Sequence, residues 1–155
     1  MAADSPCIAM KAQIDVALVL WNPDVITVVS MALLQRGLHA AGLEPQEDTA
    51  TIEELIRSTG SHVVVFDLAP PYSKSGAVAI HLMRSFPSRA FVFTCADPEV
   101  ALKAQPWLAS YRIFRKPYDV LEMAESIAAV RPLREVTVVA NARRRNGSLQ
   151  LARRL

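Results

Sequence analysis

Hydrophobic positions in this chain fall into two alternating kinds of segment. Short, almost unbroken apolar runs occur at Val16-Ala17-Leu18-Val19-Leu20-Trp21, Val63-Val64-Val65-Phe66 and Ala90-Phe91-Val92-Phe93, with a mixed run at Tyr111-Arg112-Ile113-Phe114-Arg115. Between them, apolar residues recur every three or four positions. Unbroken runs of this length predict strands buried on both faces, and helical spacing predicts the helices that cover them. The pattern is strand then helix, repeated about five times, which predicts an α/β fold with a doubly wound parallel sheet.

Local signals set the expected boundaries. Asn22 suits a helix N-cap, Pro23 the first helical position and Asp24 the positive end of the helix dipole. Ile26, Val29, Leu33 and Leu34 are the predicted buried stripe of that helix, and either Gly37 or Gly42 ends it. A second strand at Leu43–Gln46 contains Pro45, which would interrupt a central ladder, so it belongs at a sheet edge. Helix two is expected over Thr51–Ser58, with Thr51 and Glu54 at capping-box spacing and Gly60 as the stop. Leu68 to Ser75 reads as a long loop before a helix over Gly76–Phe86. Asp97-Pro98-Glu99 opens a short fourth helix that Pro106 ends. Helix five starts near Asp119, buries Val120, Met123, Ala124 and Ile127, and Pro132 closes the domain. The expected organisation is an N-terminal segment (1–14), one domain (15–131) and an Arg-rich C-terminal extension (132–155). Within that extension, Glu135-Val136-Thr137-Val138-Val139-Ala140 is strand-like and Asn146-Gly147 is a hairpin signal.

Composition narrows the class. With 155 residues, 52% hydrophobic and 21% charged, the chain is sized for one globular core. No apolar run reaches membrane-spanning length, and no secretory signal precedes Asp15. Two distant cysteines, Cys7 and Cys95, predict reduced thiols and a cytoplasmic protein. The formal net charge of +2 hides an asymmetry: residues 1–130 carry 10 Lys and Arg against 14 Asp and Glu, whereas residues 131–155 carry seven Arg and one Glu. An acidic body is followed by a basic tail.

Chemistry concentrates at strand ends. Asp67 closes the third predicted strand, Thr94 the fourth, and Lys116-Pro117 follows the fifth. Sites of open α/β sheets form beyond the carboxyl ends of the strands. Taken singly, an acid there is often a cap, a threonine often satisfies local backbone, and Lys-Pro is a common surface dipeptide. Three such residues at the ends of three successive strands predict a shared site. His39, His62 and His81 lack metal-ligand spacing, the five glycines form no phosphate-binding loop, and Ser73 and Ser75 have no base near in sequence. No enzyme activity is expected.

With these residues in place, the stretch from about Val16 to Val130 resembles the receiver domain of bacterial two-component response regulators. Asp67-Leu68-Ala69-Pro70-Pro71 resembles the family's phosphoacceptor motif, Thr94 its switch hydroxyl, Lys116-Pro117 its Lys-Pro, and Leu20-Trp21-Asn22-Pro23 its acidic pair followed by Asn-Pro. The resemblance implies a flavodoxin-like sheet of strand order 2-1-3-4-5. It also implies that an acidic pair and the phosphoacceptor hold Mg²⁺ while the lysine and hydroxyl contact the phosphoryl group. Here the paired positions are Leu20 and Trp21, which offer magnesium no oxygen. Trp21 is expected either to fill the vacated metal pocket or to pack in the core. The position usually aromatic in receivers that switch by ring rotation is Ile113, and the loop after Asp67 is stiffened by two prolines.

The leading expectation is a stand-alone pseudo-receiver that signals through protein–protein contact, with no cofactor and with Mg²⁺-dependent phosphorylation of Asp67 impaired or lost. Its partner would be a histidine kinase, a regulator or an effector. A homodimer is expected through helix four, strand five and helix five, a face including Trp107, Tyr111, Ile113 and Phe114, or through the C-terminal extension. The alternatives are a working phosphoacceptor at Asp67, nucleic-acid binding through Arg143, Arg144, Arg145, Arg153 and Arg154, and a small flavodoxin-like cofactor binder. No membrane partner is expected.

Overall fold

The computed structural model describes residues 13–45 and 49–130. One parallel sheet runs in the order β2-β1-β3-β4-β5, built from β1 (Val16–Val19), β2 (Ala40–Leu43), β3 (Val63–Asp67), β4 (Ala90–Cys95) and β5 (Arg112–Arg115). The connections are α1 (Pro23–Leu34), α2 (Thr49–Thr59), α3 (Tyr72–Ser85) and α4 (Pro98–Ala104), with a 3-10 turn at Pro106–Ser110 before β5. A last helix, α5, spans 120–130. Among the described residues no helix is long and apolar enough to cross a membrane.

The unbroken apolar runs are explained by two cores, one on each face. Ala17, Val19, Val64, Phe66, Phe91 and Phe93 pack against residues of α2, α3 and α4. Their alternating neighbours Val16, Leu18, Leu20, Val63, Val65 and Val92 pack against α1 and α5. Because side chains alternate along a strand, covering both faces demands apolar residues at every position. Each fully buried Val, Leu or Phe stabilises the fold by about 1.5–3 kcal/mol relative to exposure.

Asp15 locks the opposite end of the sheet. Its buried carboxylate accepts the His39 backbone N–H at 2.9 Å, its own N–H donates to the His39 carbonyl at 2.8 Å, and its carbonyl accepts the His62 N–H at 2.9 Å. One residue thereby ties the starts of β1, β2 and β3. At the far edge, β5 exposes Arg112 and Arg115, and the Arg112 guanidinium lies over the Phe114 ring, 5.1 Å from its centre.

Helix starts follow the local chemistry. The Asn22 side chain accepts the Asp24 N–H at 2.9 Å, with Pro23 opening α1. Asp97 caps α4 by accepting from the Val100 N–H, and Asp119 accepts from Leu121 and Glu122 at the start of α5. Gly37, at φ 75°, turns the chain out of α1, which settles the choice against Gly42.

Several expected boundaries move. Strand β2 lies at Ala40–Leu43 and ends before Pro45, not at Leu43–Gln46. Its Ala40-Ala41-Gly42 sequence lacks the β-branched residues that announce a strand, and smallness is what the site needs. A Cβ on Gly42 would sit 2.5 Å from the Ile26 methyl and 3.2 Å from the Leu18 carbonyl oxygen, so glycine lets α1 rest on the sheet. Helix α2 begins at Thr49, which puts Thr51 inside the helix and not at its cap. Helix α3 begins at Tyr72, so the long loop shrinks to Leu68–Pro71, because Pro71 supplies an extended N-cap backbone. Leu34 leaves the buried stripe of α1 and Ala32 enters it. Pro132, the strand-like and hairpin signals beyond it, and residues 1–12 lie outside the described residues.

Replacing Gly42 with alanine is expected to destabilise the domain by about 1–3 kcal/mol, as overpacking does. Urea unfolding should show a lower midpoint with an unchanged slope.

Candidate functional site

Parallel register places the site. In the β3–β4 ladder Asp67 lies opposite Thr94, and in the β4–β5 ladder Thr94 lies opposite Phe114. Lys116 is two residues beyond Phe114, hence on the same face by the period of two. All three predicted residues meet. The Thr94 hydroxyl donates to Asp67 Oδ1 at 3.1 Å, and the Lys116 ammonium donates to Oδ2 at 2.5 Å. Asp67 and Thr94 are buried at 3% and 0% exposure, while the Lys116 side chain is 37% exposed. Backbone bonds fix the arrangement: Leu68 N–H to the Thr94 carbonyl at 2.8 Å, and Lys116 N–H to the Cys95 carbonyl at 2.9 Å. The Lys116–Pro117 peptide is cis.

Leu20 completes the row from the other side. The β1–β3 ladder pairs Val19 with Phe66, so the next residue, Leu20, aligns with Asp67, and it is fully buried. Trp21 takes neither expected place. It is 48% exposed, neither in the core nor enclosed in a pocket, and its side chain walls two clefts that flank Asp67. One cleft, of about 290 Å³, lies between the start of α1 and Lys116-Pro117-Tyr118. The other, of about 230 Å³, is bounded by Pro45, Pro70, Pro71 and Lys74.

Magnesium needs several oxygen ligands in near-octahedral geometry. Asp67 is the one carboxylate here, both its oxygens are engaged, and the Asn22 side-chain oxygen is occupied by the Asp24 N–H. Among the described residues no three His, Cys, Asp or Glu side chains gather into a possible metal site. The residues present do not fit a resident divalent ion.

Ile113 is half-buried and opposes Phe93 in the ladder, packed against the core on the α2–α4 side. The aromatic side chains near it pack on one another at the edge of the core, with Tyr111 still partly open to solvent. Trp107 and Tyr111 meet Phe93 and each other edge to face, with ring centres 5.5 to 5.7 Å apart. Phe114 is buried, so the face expected for dimerisation gives much of its aromatic surface to the core. His81 is exposed on α3 and bonds Glu53 of α2.

Tyr118 is the site residue that sequence reading missed. Its hydroxyl is buried without a hydrogen-bond partner among the described residues, and it lines the larger cleft. Burial, and then the negative charge of Asp67, push its phenol up to about 12. The signal available was its place directly after Lys116-Pro117, in a stretch whose backbone direction only the fold reveals. Burial and then the charge of Asp67 also push the Cys95 thiol up, which favours its protonated form.

No protein-family model and no curated protein matches this chain in sequence. Solved structures match it in fold. An orphan response regulator of H. pylori superposes with a TM-score of 0.60 at 14% identity, covering 77% of this chain and 97% of that one. The isolated receiver domain of RcsB from Salmonella enterica gives 0.60 at 20% identity, covering 76% and 88%. The receiver domain of an HD domain-containing protein from Pseudomonas fluorescens gives 0.60 at 17%, covering 79% and 96%. The chain has a divergent receiver fold.

Two outcomes follow from the geometry. Lys116→Met strands a buried carboxylate, a loss of about 3–5 kcal/mol for fully buried pairs, and of about 2–3 kcal/mol here because the ammonium is partly hydrated. Chemical denaturation should show this, and most of the loss should return in the Asp67→Leu/Lys116→Met double variant. For Tyr118 the folded pKa lies above the unfolded value near 10, so its contribution is intact below pH 10 and lost as pH rises toward 12. Tyr118→Phe should flatten that alkaline decline in the melting temperature.

Proposed function

We propose that this chain, which carries the receiver fold, is a pseudo-receiver: a two-component-type signalling module that works by protein–protein contact, without Mg²⁺-dependent phosphorylation of Asp67. One observation carries the reading. Both Asp67 oxygens are already engaged, by Lys116 and by Thr94, while Leu20 and Trp21 stand where a metal would need acids. Phosphoryl transfer spreads negative charge over three equatorial oxygens and depends on cations to offset it. A single ammonium committed to the acceptor itself is a poor substitute for a metal ion.

The conformational argument points the same way. A ligand or modification shifts an equilibrium only through a difference in its interactions with the two states. Thr94 already faces Asp67 before any phosphoryl group arrives, and Ile113 offers no ring to rotate. The module would therefore present one surface constitutively to a kinase, regulator or effector, and would catalyse nothing.

Intact mass after incubation with acetyl phosphate, with and without Mg²⁺ and with Asp67→Ala as control, tests this. The expected result is no adduct on folded protein under either condition. A phosphoryl adduct that disappears in Asp67→Ala, with or without the metal, would overturn the reading and make Asp67 a working phosphoacceptor.

A further inference from the structure

Helix α1 carries large apolar residues on its outer side as well as on the side that meets the sheet, with Thr27 and Ser30 its uncharged polar residues. After Asp24 it reads Val25-Ile26-Thr27-Val28-Val29-Ser30-Met31-Ala32-Leu33-Leu34, with no charged residue. Val29, Ala32 and Leu33 are buried against the sheet. On the opposite side Val28, Met31 and Leu34 are 52%, 61% and 56% exposed. These are three of the seven large hydrophobic side chains exposed among the described residues, and they share one stripe. An apolar strip on the outer side of a helix of a small domain marks a contact surface. The other exposed apolar residues, Trp21, Val100, Tyr111 and Leu121, are spread over separate elements.

The ends of the helix indicate what covers it. Asp24, in the first turn, is exposed and has no ion-pair partner among the described residues. Arg36, just beyond the last turn, is 33% exposed and bonds Glu125 of α5 at 2.8 Å. An acid at one end, a base at the other and apolar residues between form a pattern complementary to itself when turned end for end.

We propose that α1 packs antiparallel against α1 of a second copy of this chain, across a twofold axis near residue 30. Val28, Met31 and Leu34 of each helix then fill the seam. Asp24 and Arg36 stand six residues either side of the axis, about 9 Å along each helix at the usual rise, so Asp24 of one copy lies beside Arg36 of the other. The pairing is isologous, as closed dimers require, and the antiparallel helix dipoles also attract. Arg36 keeps Glu125 while reaching the new acid, because a guanidinium has five donors. A foreign helix would need no such end-to-end match. The dimer stands independently of whether Asp67 takes up phosphate.

Light scattering coupled to size exclusion, on the full chain over a concentration series, tests the proposal. The wild-type chain is expected to be a dimer and Met31→Glu a monomer with unchanged circular dichroism. Asp24→Arg or Arg36→Asp alone should weaken the dimer about tenfold, and the two together should restore it. A wild-type monomer at every concentration would overturn the proposal, and so would a dimer indifferent to Met31→Glu. Met31→Cys that stays monomeric yet resists maleimide would show the strip covered by the chain itself, and would overturn it too.

Discussion

A carboxylate buried at the mouth of a parallel sheet must be compensated, and this constraint organises the functional end of the molecule. Asp67 is almost wholly removed from water, so its charge depends on the hydroxyl of Thr94 and the ammonium of Lys116. Each partner arrives by strand register: Thr94 directly across the β3–β4 ladder, and Lys116 two residues beyond the next cross-strand neighbour. The apolar strands fix the register, and the register delivers the charges. Leu20 follows from the same rows. With one lysine against one acid the site is electrically balanced, and more acids beside Asp67 would raise a repulsion that nothing local offsets.

The Asp67–Thr94–Lys116 site is legible in the sequence because strand ends in a parallel sheet are simple to locate: each buried run stops where its apolar residues stop. The same reasoning finds the N-caps Asn22 and Asp97 and the apolar face of α5. It fails where local composition and tertiary need diverge. Strand β2 opens with Ala40, Ala41 and Gly42, the last of them small because Ile26 of α1 presses on it, and smallness carries no strand signal. Tyr72 reads as loop because two prolines precede it, yet the second of them starts the helix. Trp21 reads as core or filler because indoles usually are. Its exposure follows from its place at the last turn before α1, where the chain leaves the sheet.

The two faces of the sheet are used differently. Toward α2, α3 and α4, aromatic rings interlock from Phe66 through Phe93 to Trp107 and Tyr111, binding the turn before β5 into the core. Toward α1 and α5 the core is mostly aliphatic, with Phe114 and Tyr118 meeting edge to face at its β5 side, and the apolar character continues on α1 to its outer surface. Interlocked rings lie on one side and an exposed apolar strip on the other.

The arginines of β5 bear on how copies of this molecule approach one another. An edge strand with free backbone donors and acceptors invites another strand to add on, the route by which sheets grow into aggregates. Here the edge is four residues long, begins and ends with an exposed arginine, and has one of those guanidiniums lying across its own Phe114 ring. A second β5 brought alongside would set like charges against each other and have to lift that cation from the ring. The β5 edge is therefore guarded against strand addition, and copies that approach one another are turned away from that side of the sheet.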